Sequence, residues 1–416
     1  MEKAAKKLRS KRQSIVGLNS INFFQAEMVG VVLPAMGVLL KEHGWRYDSI
    51  GIATAAAGLG TMLFQTPAGI VIDHVSSRRG LFAAAALATG LGLAVLPLLS
   101  GSKLLVDAAL FLAGTAQSLF PPLLGALALA LVGHDLLNKT AGVNQGWNHA
   151  GNIVAAISAI GLVRFFGVSS IFYAVGVSSL LAAGAVFLIR GEDLDEVGAT
   201  GITEGTTKKS SSKELLRQRA VLFLFVSIFL FHLANAPILP TVALYVKQLG
   251  GSDTLMTATV LTAQLVMVPV ALLAGHFGEL WGRKPVMAIA FWILPLRIFS
   301  YTLVSSPRMV VWLQALDGIG AGIYGVIVIA LAADLTKGKG HFNTLAGLFA
   351  TSLAIGGVVG PLASGALVQH FGFKMTFYTF TGLAALGAIV FSIFVPETKM
   401  KTSSIRQTPN LQTAFE

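Results

Sequence analysis

GIVIDHVSSRRG, Gly69 to Gly80, and GHFGELWGRKPV, Gly275 to Val286, are two versions of one pattern. Each follows a long apolar run. Each places a carboxylate four residues after a glycine, Asp73 after Gly69 and Glu279 after Gly275, then sets two adjacent cations, Arg78 and Arg79 or Arg283 and Lys284, before the next apolar run. Physically this is a tight hairpin between two membrane helices. Glycine permits the turn and close helix approach, the acid suits a helix end or an ion pair, and paired cations resist passage through the bilayer. The two copies lie 206 residues apart in a chain of 416, so the sequence reads as one six-helix unit written twice.

Composition supports a membrane reading. Hydrophobic residues make up 54% of the chain and charged residues 12%, about half the charged share of a soluble domain. A soluble globular fold is excluded. With no cysteine, disulfides, thiol catalysis and thiolate metal sites are excluded too. The net charge of +11 would suggest nucleic acid in a soluble domain, but here the cations sit in short loops, where they set topology, and no nucleic-acid partner is expected. No cleavable signal peptide is expected, because the first apolar run is too long for one.

A span needs about 20 apolar residues. Twelve candidates fall near 15–40, 49–72, 80–99, 103–133, 141–163, 168–189, 219–246, 252–275, 286–305, 308–334, 342–368 and 375–395. Counted on alternate sides, Lys and Arg divide twenty-two to seven, with Arg297 left inside a span. Both termini are therefore expected in the cytoplasm. The organisation that follows is a basic tail (1–14), an N-terminal bundle (15–189), a cytoplasmic linker (190–218), a C-terminal bundle (219–395) and a polar tail (396–416). The repeat extends beyond the loops, since Leu33-Pro34 in span 1 matches Leu239-Pro240 in span 7 at the same offset. Bends at these prolines would shape a central cavity, or serve packing alone.

A loop of the form Gly-x-x-x-Asp/Glu-x-x-Gly-Arg-Lys between the second and third helices of each half resembles the signature of the major facilitator superfamily of secondary transporters. The C-terminal copy matches through Gly275, Glu279, Gly282, Arg283 and Lys284. The N-terminal copy departs from it, with Ser76 in place of the second glycine, Ser77 in place of the first cation, and the basic pair shifted to Arg78 and Arg79. The resemblance implies an all-α fold of twelve transmembrane helices in two pseudo-symmetric six-helix bundles, with substrate held between them. It also implies that the two loops act as cytoplasmic gates.

Ionisable groups in hydrocarbon need a partner, a cavity or a task. Glu27 lies deep in span 1 and shares a helical face with Ser20, Phe23, Phe24 and Pro34. Because hydrocarbon disfavours a bare carboxylate, it is a candidate for proton exchange, with a structural ion pair as the alternative. In the drug:proton antiporter branch an acid on the first helix is a recurring proton or cation site, and Glu27 resembles it. Arg297 in span 9 and Asp317 in span 10 either neutralise one another or leave Arg297 to contact an anionic substrate. Span 5 carries NQGWNHAGN, in which Asn144, Asn148 and Asn152 recur every four residues beside Trp147 and His149. Span 7 adds His232 and Asn235. These groups line a cavity or bond between helices. Two departures stand out: the Gly-x-x-x-Gly-Pro-x-x-Gly-Gly run of antiporter helix 5 is absent from span 5, while a related run, GGVVGPLASG, occupies span 11; and span 4 lacks the mid-membrane arginine of that branch.

No nucleotide-binding loop or catalytic constellation is present, so neither an enzyme nor an ATP-driven pump is expected, and neither a cofactor nor a metal. The expected protein is a monomeric, multi-pass protein of a bacterial inner membrane, in contact with lipids and exchanging protons against a small organic molecule. Proton-coupled export is the favoured direction. Uptake or exchange of a metabolite, anionic if Arg297 contacts it, is the alternative, and a transporter-like sensor is a distant third.

Overall fold

A computed structural model describes residues 2–75, 77–194, 218–336 and 342–398. Its elements, in order, are α1 (Glu2–Val29), α2 (Val32–Glu42), α3 (Tyr47–His74), α4 (Arg78–Ala94), α5 (Leu96–Leu99), α6 (Lys103–Gln117), α7 (Phe120–Phe166), α8 (Ser169–Ala185), α9 (Arg219–Asn235), α10 (Ile238–Gln248), α11 (Asp253–Leu280), α12 (Arg283–Leu303), α13 (Pro307–Thr336) and α14 (Phe342–Phe394). No strand occurs among the described residues. Among the described residues, nine helical stretches are long and apolar enough to cross a membrane.

The expected twelve spans differ from the observed helices for local reasons. Spans 4 and 5 run together in α7, and spans 11 and 12 in α14, each turned at one glycine with a left-handed backbone, Gly133 (φ 72°) and Gly372 (φ 77°). Only glycine takes that conformation without cost, so the chain reverses with no loop at all. Span 4 is divided at Ser118–Leu119, just before Pro121 and Pro122 in the first turn of α7.

Spans 1 and 7 are not single bent rods. Each is broken into a longer first helix and a second one of 11 residues, at 30–31 and at 236–237. Pro34 and Pro240 then sit in the first turn of α2 and α10, where a missing N–H costs little. The duplication survives in the backbone: α2 and α10 are offset by 206 residues, as are α3 and α11, each of 28 residues, and the positive-φ glycines Gly44 and Gly250.

Side-chain contacts fix two ends. At the first, which also holds the N-terminal helix, Arg79 donates to the Ile189 carbonyl (2.8 Å) and Ser14 to Asp193 (2.6 Å). At the opposite end, the Trp45 indole donates to the Ser100 carbonyl (2.7 Å) and the Tyr245 hydroxyl to that of Val304 (3.1 Å). Each bundle buries its own apolar core, with Phe82, Phe120 and Phe172 in one and Phe291, Phe377 and Phe391 in the other.

Candidate functional site

The two bundles meet most closely where α3 lies along span 11. A Cβ on Gly58 would stand 2.7 Å from the Gly357 carbonyl oxygen, and one on Gly365 would stand 2.6 Å from that of Tyr47. GGVVGPLASG is thus the surface that lets the two backbones touch. The seal continues to the opposite end, where the Tyr47 N–H donates to Gln369 (3.0 Å) and the Tyr47 and Tyr245 rings both meet Phe373 at 5.4 Å. Lys247 bridges Glu42 of the other bundle (3.4 Å) and its own neighbour Asp253 (2.6 Å).

Below that seal lies a cavity of about 360 Å³ with walls from both bundles. Val29, Val32 and Leu33 flank the break of span 1, and Ala236 lies at the break of span 7. The broken helices therefore meet the cavity at their weakest points. Thr54, Thr61 and Gln117 supply its polar side chains. Thr54 donates to the Ile50 carbonyl (2.9 Å) and Thr61 to that of Gly114 (3.0 Å), so both hydroxyls have spent their protons on backbone. Composition of the lining makes this an apolar chamber. Sequence reasoning missed Thr54, Thr61 and Gln117, because it singled out amides by their four-residue recurrence in span 5 and Gln117 is an isolated amide in span 4.

Glu27 stands elsewhere. It lies inside the N-terminal bundle, half-buried, in a cleft of about 730 Å³ formed by α1, the second part of α7, and α8. Phe23, Phe24 and Tyr173 line the same cleft, and the Phe23 and Phe24 rings pack edge to face at 5.3 Å. Ser178 donates to its carboxylate at 3.2 Å. No cation pairs with it among the described residues.

The C-terminal bundle holds a second polar centre. Arg297, 2% exposed, is paired with Asp317 on the adjacent α13 and donates to the Asn235 side chain at 3.1 Å. His232 and the Tyr324 hydroxyl share a hydrogen bond of 2.8 Å, the donor depending on the histidine tautomer. A cavity of about 100 Å³ lies among these groups. Of the two readings open for Arg297, the structure realises the ion pair.

The amides of span 5 do not line the central chamber; Asn148 bonds to α1 and Asn152 bonds within its own helix. Asn148 donates to Gln25 of α1 (3.1 Å), Asn152 donates back to Asn148 (3.2 Å), and Trp147 meets Phe23 edge to face at 6.4 Å. Asn144 is buried, and His149 is set against Gln264 of α11 in the other bundle. His149 and His232 do not join a cluster able to hold a metal among the described residues.

Of the two signature loops, the C-terminal one carries the more described side-chain bonds. Arg283 pairs with Glu279 (2.6 Å) and with Asp334 at the end of α13 (3.3 Å). The backbone N–H groups of Arg283 and Lys284 donate to Glu397 (2.9 and 3.1 Å), a carboxylate at the positive end of α12. Gly282 turns with φ 109°, which explains the glycine. In the N-terminal loop Arg78 is buried and Arg79 is tied to Ile189. Ser76 and the side chain of Asp73 lie outside the described residues. Gly69 and Gly275 fall within α3 and α11, near their ends.

Comparison with known proteins agrees with this architecture. A family model described as Major Facilitator Superfamily matches residues 16–275 and 224–415. An uncharacterized MFS-type transporter of Mycobacterium tuberculosis is 32% identical over 403 residues, covering 95% of this chain and 96% of its own. The multi-drug resistance efflux pump PmrA of Streptococcus pneumoniae is 24% identical over 399 residues, covering 92% and 96%. Among solved structures, a point mutant of the nucleoside transporter NupG superposes with a TM-score of 0.73 at 15% identity, over 93% of this chain and all of that one. A D-xylose-proton symporter gives 0.71 at 15% identity, over 94% and 98%. At such identities the likeness is one of fold. With a family model spanning both bundles and a relative matched over nearly its full length, the chain belongs to the Major Facilitator Superfamily.

Proposed function

We propose that this transporter moves a small organic compound out of the cytoplasm in exchange for protons, with Glu27 as the proton carrier. The observation that carries the reading is the state of Glu27: an acid inside a membrane bundle, bonded to one hydroxyl and to no cation among the described residues. A carboxylate so placed is costly as an anion and inexpensive as an acid, which suits a group that is loaded and unloaded once per cycle. Its relationship to a multi-drug efflux pump over most of both chains supports export. The engagement of Arg297 by Asp317 and Asn235 weighs against an anionic substrate held by that guanidinium.

The end carrying the basic loops faces the cytoplasm, by the distribution of Lys and Arg. In that orientation the seal around Tyr47, Phe373 and Lys247 closes the outer side, and the conformation is open inward. Transport proceeds as the bundles rock about the α3–span 11 contact, with the signature loops meeting in the opposite state.

The test is substrate-triggered proton movement in proteoliposomes under an imposed pH gradient, with Glu27→Gln beside the native protein. Proton movement driven by an organic compound, and lost in the variant, is the expected result. Coupled movement that persists in Glu27→Gln would overturn the assignment.

A further inference from the structure

Proton and substrate are commonly pictured as rivals for one carboxylate, yet the geometry places the acid and the chamber apart. Glu27 opens into a cleft built by α1, α7 and α8 of one bundle. The 360 Å³ chamber is built by both bundles, so rocking can expose it to alternate sides. What links them is span 1. Glu27 precedes the break at 30–31, while Val29, Val32 and Leu33 straddle it and face the chamber.

The chamber has its own chemical signature. Among the described residues no ionisable side chain lines it, and an unpaired charge in such a space would be strongly disfavoured. Thr54 and Thr61 have donated their protons to backbone carbonyls and offer lone pairs only. Gln117 differs from both. It is half-buried at the end of α6, its amide makes no hydrogen bond to the protein among the described residues, and it supplies both donors and an acceptor. A pocket of this size and character takes a drug-sized, mainly apolar molecule fixed by a few polar contacts.

We infer that the transported compound is an uncharged amphiphile bearing hydrogen-bond donors, anchored in the central chamber by the Gln117 amide with Thr54 and Thr61 accepting, and that it never touches Glu27. This rests on the proposed proton-coupled transport, but it separates two roles that a shared carboxylate would merge. Gln117 is the specificity residue and Glu27 the coupling residue. Coupling then passes through the break in span 1 rather than through direct competition.

The experiment is equilibrium dialysis of the purified full-length protein with two labelled probes, neutral chloramphenicol, which carries an amide and two hydroxyls, and the cation tetraphenylphosphonium. Saturable binding of chloramphenicol alone is expected. Gln117→Leu should weaken it about tenfold, the loss expected when a buried hydrogen-bonding anchor is removed. Gln117→Asn should retain part of the affinity. Gln117→Glu provides the readout that a misfolded variant could not give: an acid in the chamber should admit tetraphenylphosphonium. Glu27→Gln should retain saturable chloramphenicol binding, its affinity shifted only by the coupling carried through span 1, because the acid lies outside the chamber; loss of saturable binding in that variant would also overturn the inference. Absence of saturable chloramphenicol binding, binding of the cation by the native protein, or indifference of chloramphenicol to Gln117→Leu would each overturn the inference. These outcomes concern binding only, whereas failure of the proton-exchange reading would appear as persistent proton coupling in Glu27→Gln.

Discussion

Arg297 and Asp317 show how far a residue can be read from its neighbours in sequence. Both were visible as charges inside apolar runs, and hydrocarbon demands compensation for each. Their pairing was one of two open solutions, because mutual distance depends on how α12 and α13 rotate about their axes. In the folded chain Arg297 is buried, Asp317 partly so, and Asn235 takes another guanidinium N–H. Asp317→Asn would leave that cation stranded, and a loss of about 3–5 kcal/mol is expected. The double replacement Arg297→Met with Asp317→Leu should recover most of it. Thermal unfolding of the detergent-purified variants, followed by tryptophan fluorescence, is the check, and equal destabilisation of single and double variants would refute the pairing as the cause. Glu27 was equally visible as an acid out of place. Its direction was not, since the face shared with Phe23 and Phe24 turns toward α7 and α8 instead of the centre, and no pattern within span 1 distinguishes those two sides.

At the level of elements, the most informative feature is close approach. Gly58 has no room for a side chain, whereas Gly125, in α7, faces open space. Gly58→Leu is therefore expected to wedge α3 from span 11 and loosen the seal around Tyr47, Phe373 and Lys247, and Gly125→Leu to leave it intact. The chain contains no cysteine, so introduced pairs report without background. Glu42→Cys with Lys247→Cys, positions now joined by an ion pair across the bundles at 3.4 Å, should be linked efficiently by a short thiol-specific reagent. Adding Gly58→Leu should lower the yield several-fold; an unchanged yield would mean that the seal does not depend on that contact. Proline positions were legible in spans 1 and 7 and signalled a disturbance there. The breaks themselves fall three or four residues earlier, at 30–31 and 236–237, because a proline is best accommodated in the first turn of a new helix.

For the whole molecule, the decisive property is two-fold repetition joined to sidedness. Gly101, exposed in the turn before α6, lies at the end opposite the signature loops. In intact cells a membrane-impermeant maleimide is expected to label Gly101→Cys, and to reach Ser77→Cys only after permeabilisation. The reverse pattern would invert the proposed orientation and turn the observed conformation into an outward-open one. The sequence by itself determined the membrane class, the duplication at an offset of 206, the two-bundle architecture and the residues too polar for hydrocarbon to ignore. Those follow from composition, periodicity and the cost of burying charge, which are properties of the chain read in one dimension. Which polar groups meet was settled only in three dimensions. Asn148 is satisfied by Gln25, Arg297 by Asp317, and the chamber is walled by Thr54 and Gln117 rather than by Glu27. Each of these depends on the rotation and crossing of helices distant in sequence, set by glycine contacts such as Gly58 with Gly357, and a helical period fixes which residues share a face without fixing what that face meets.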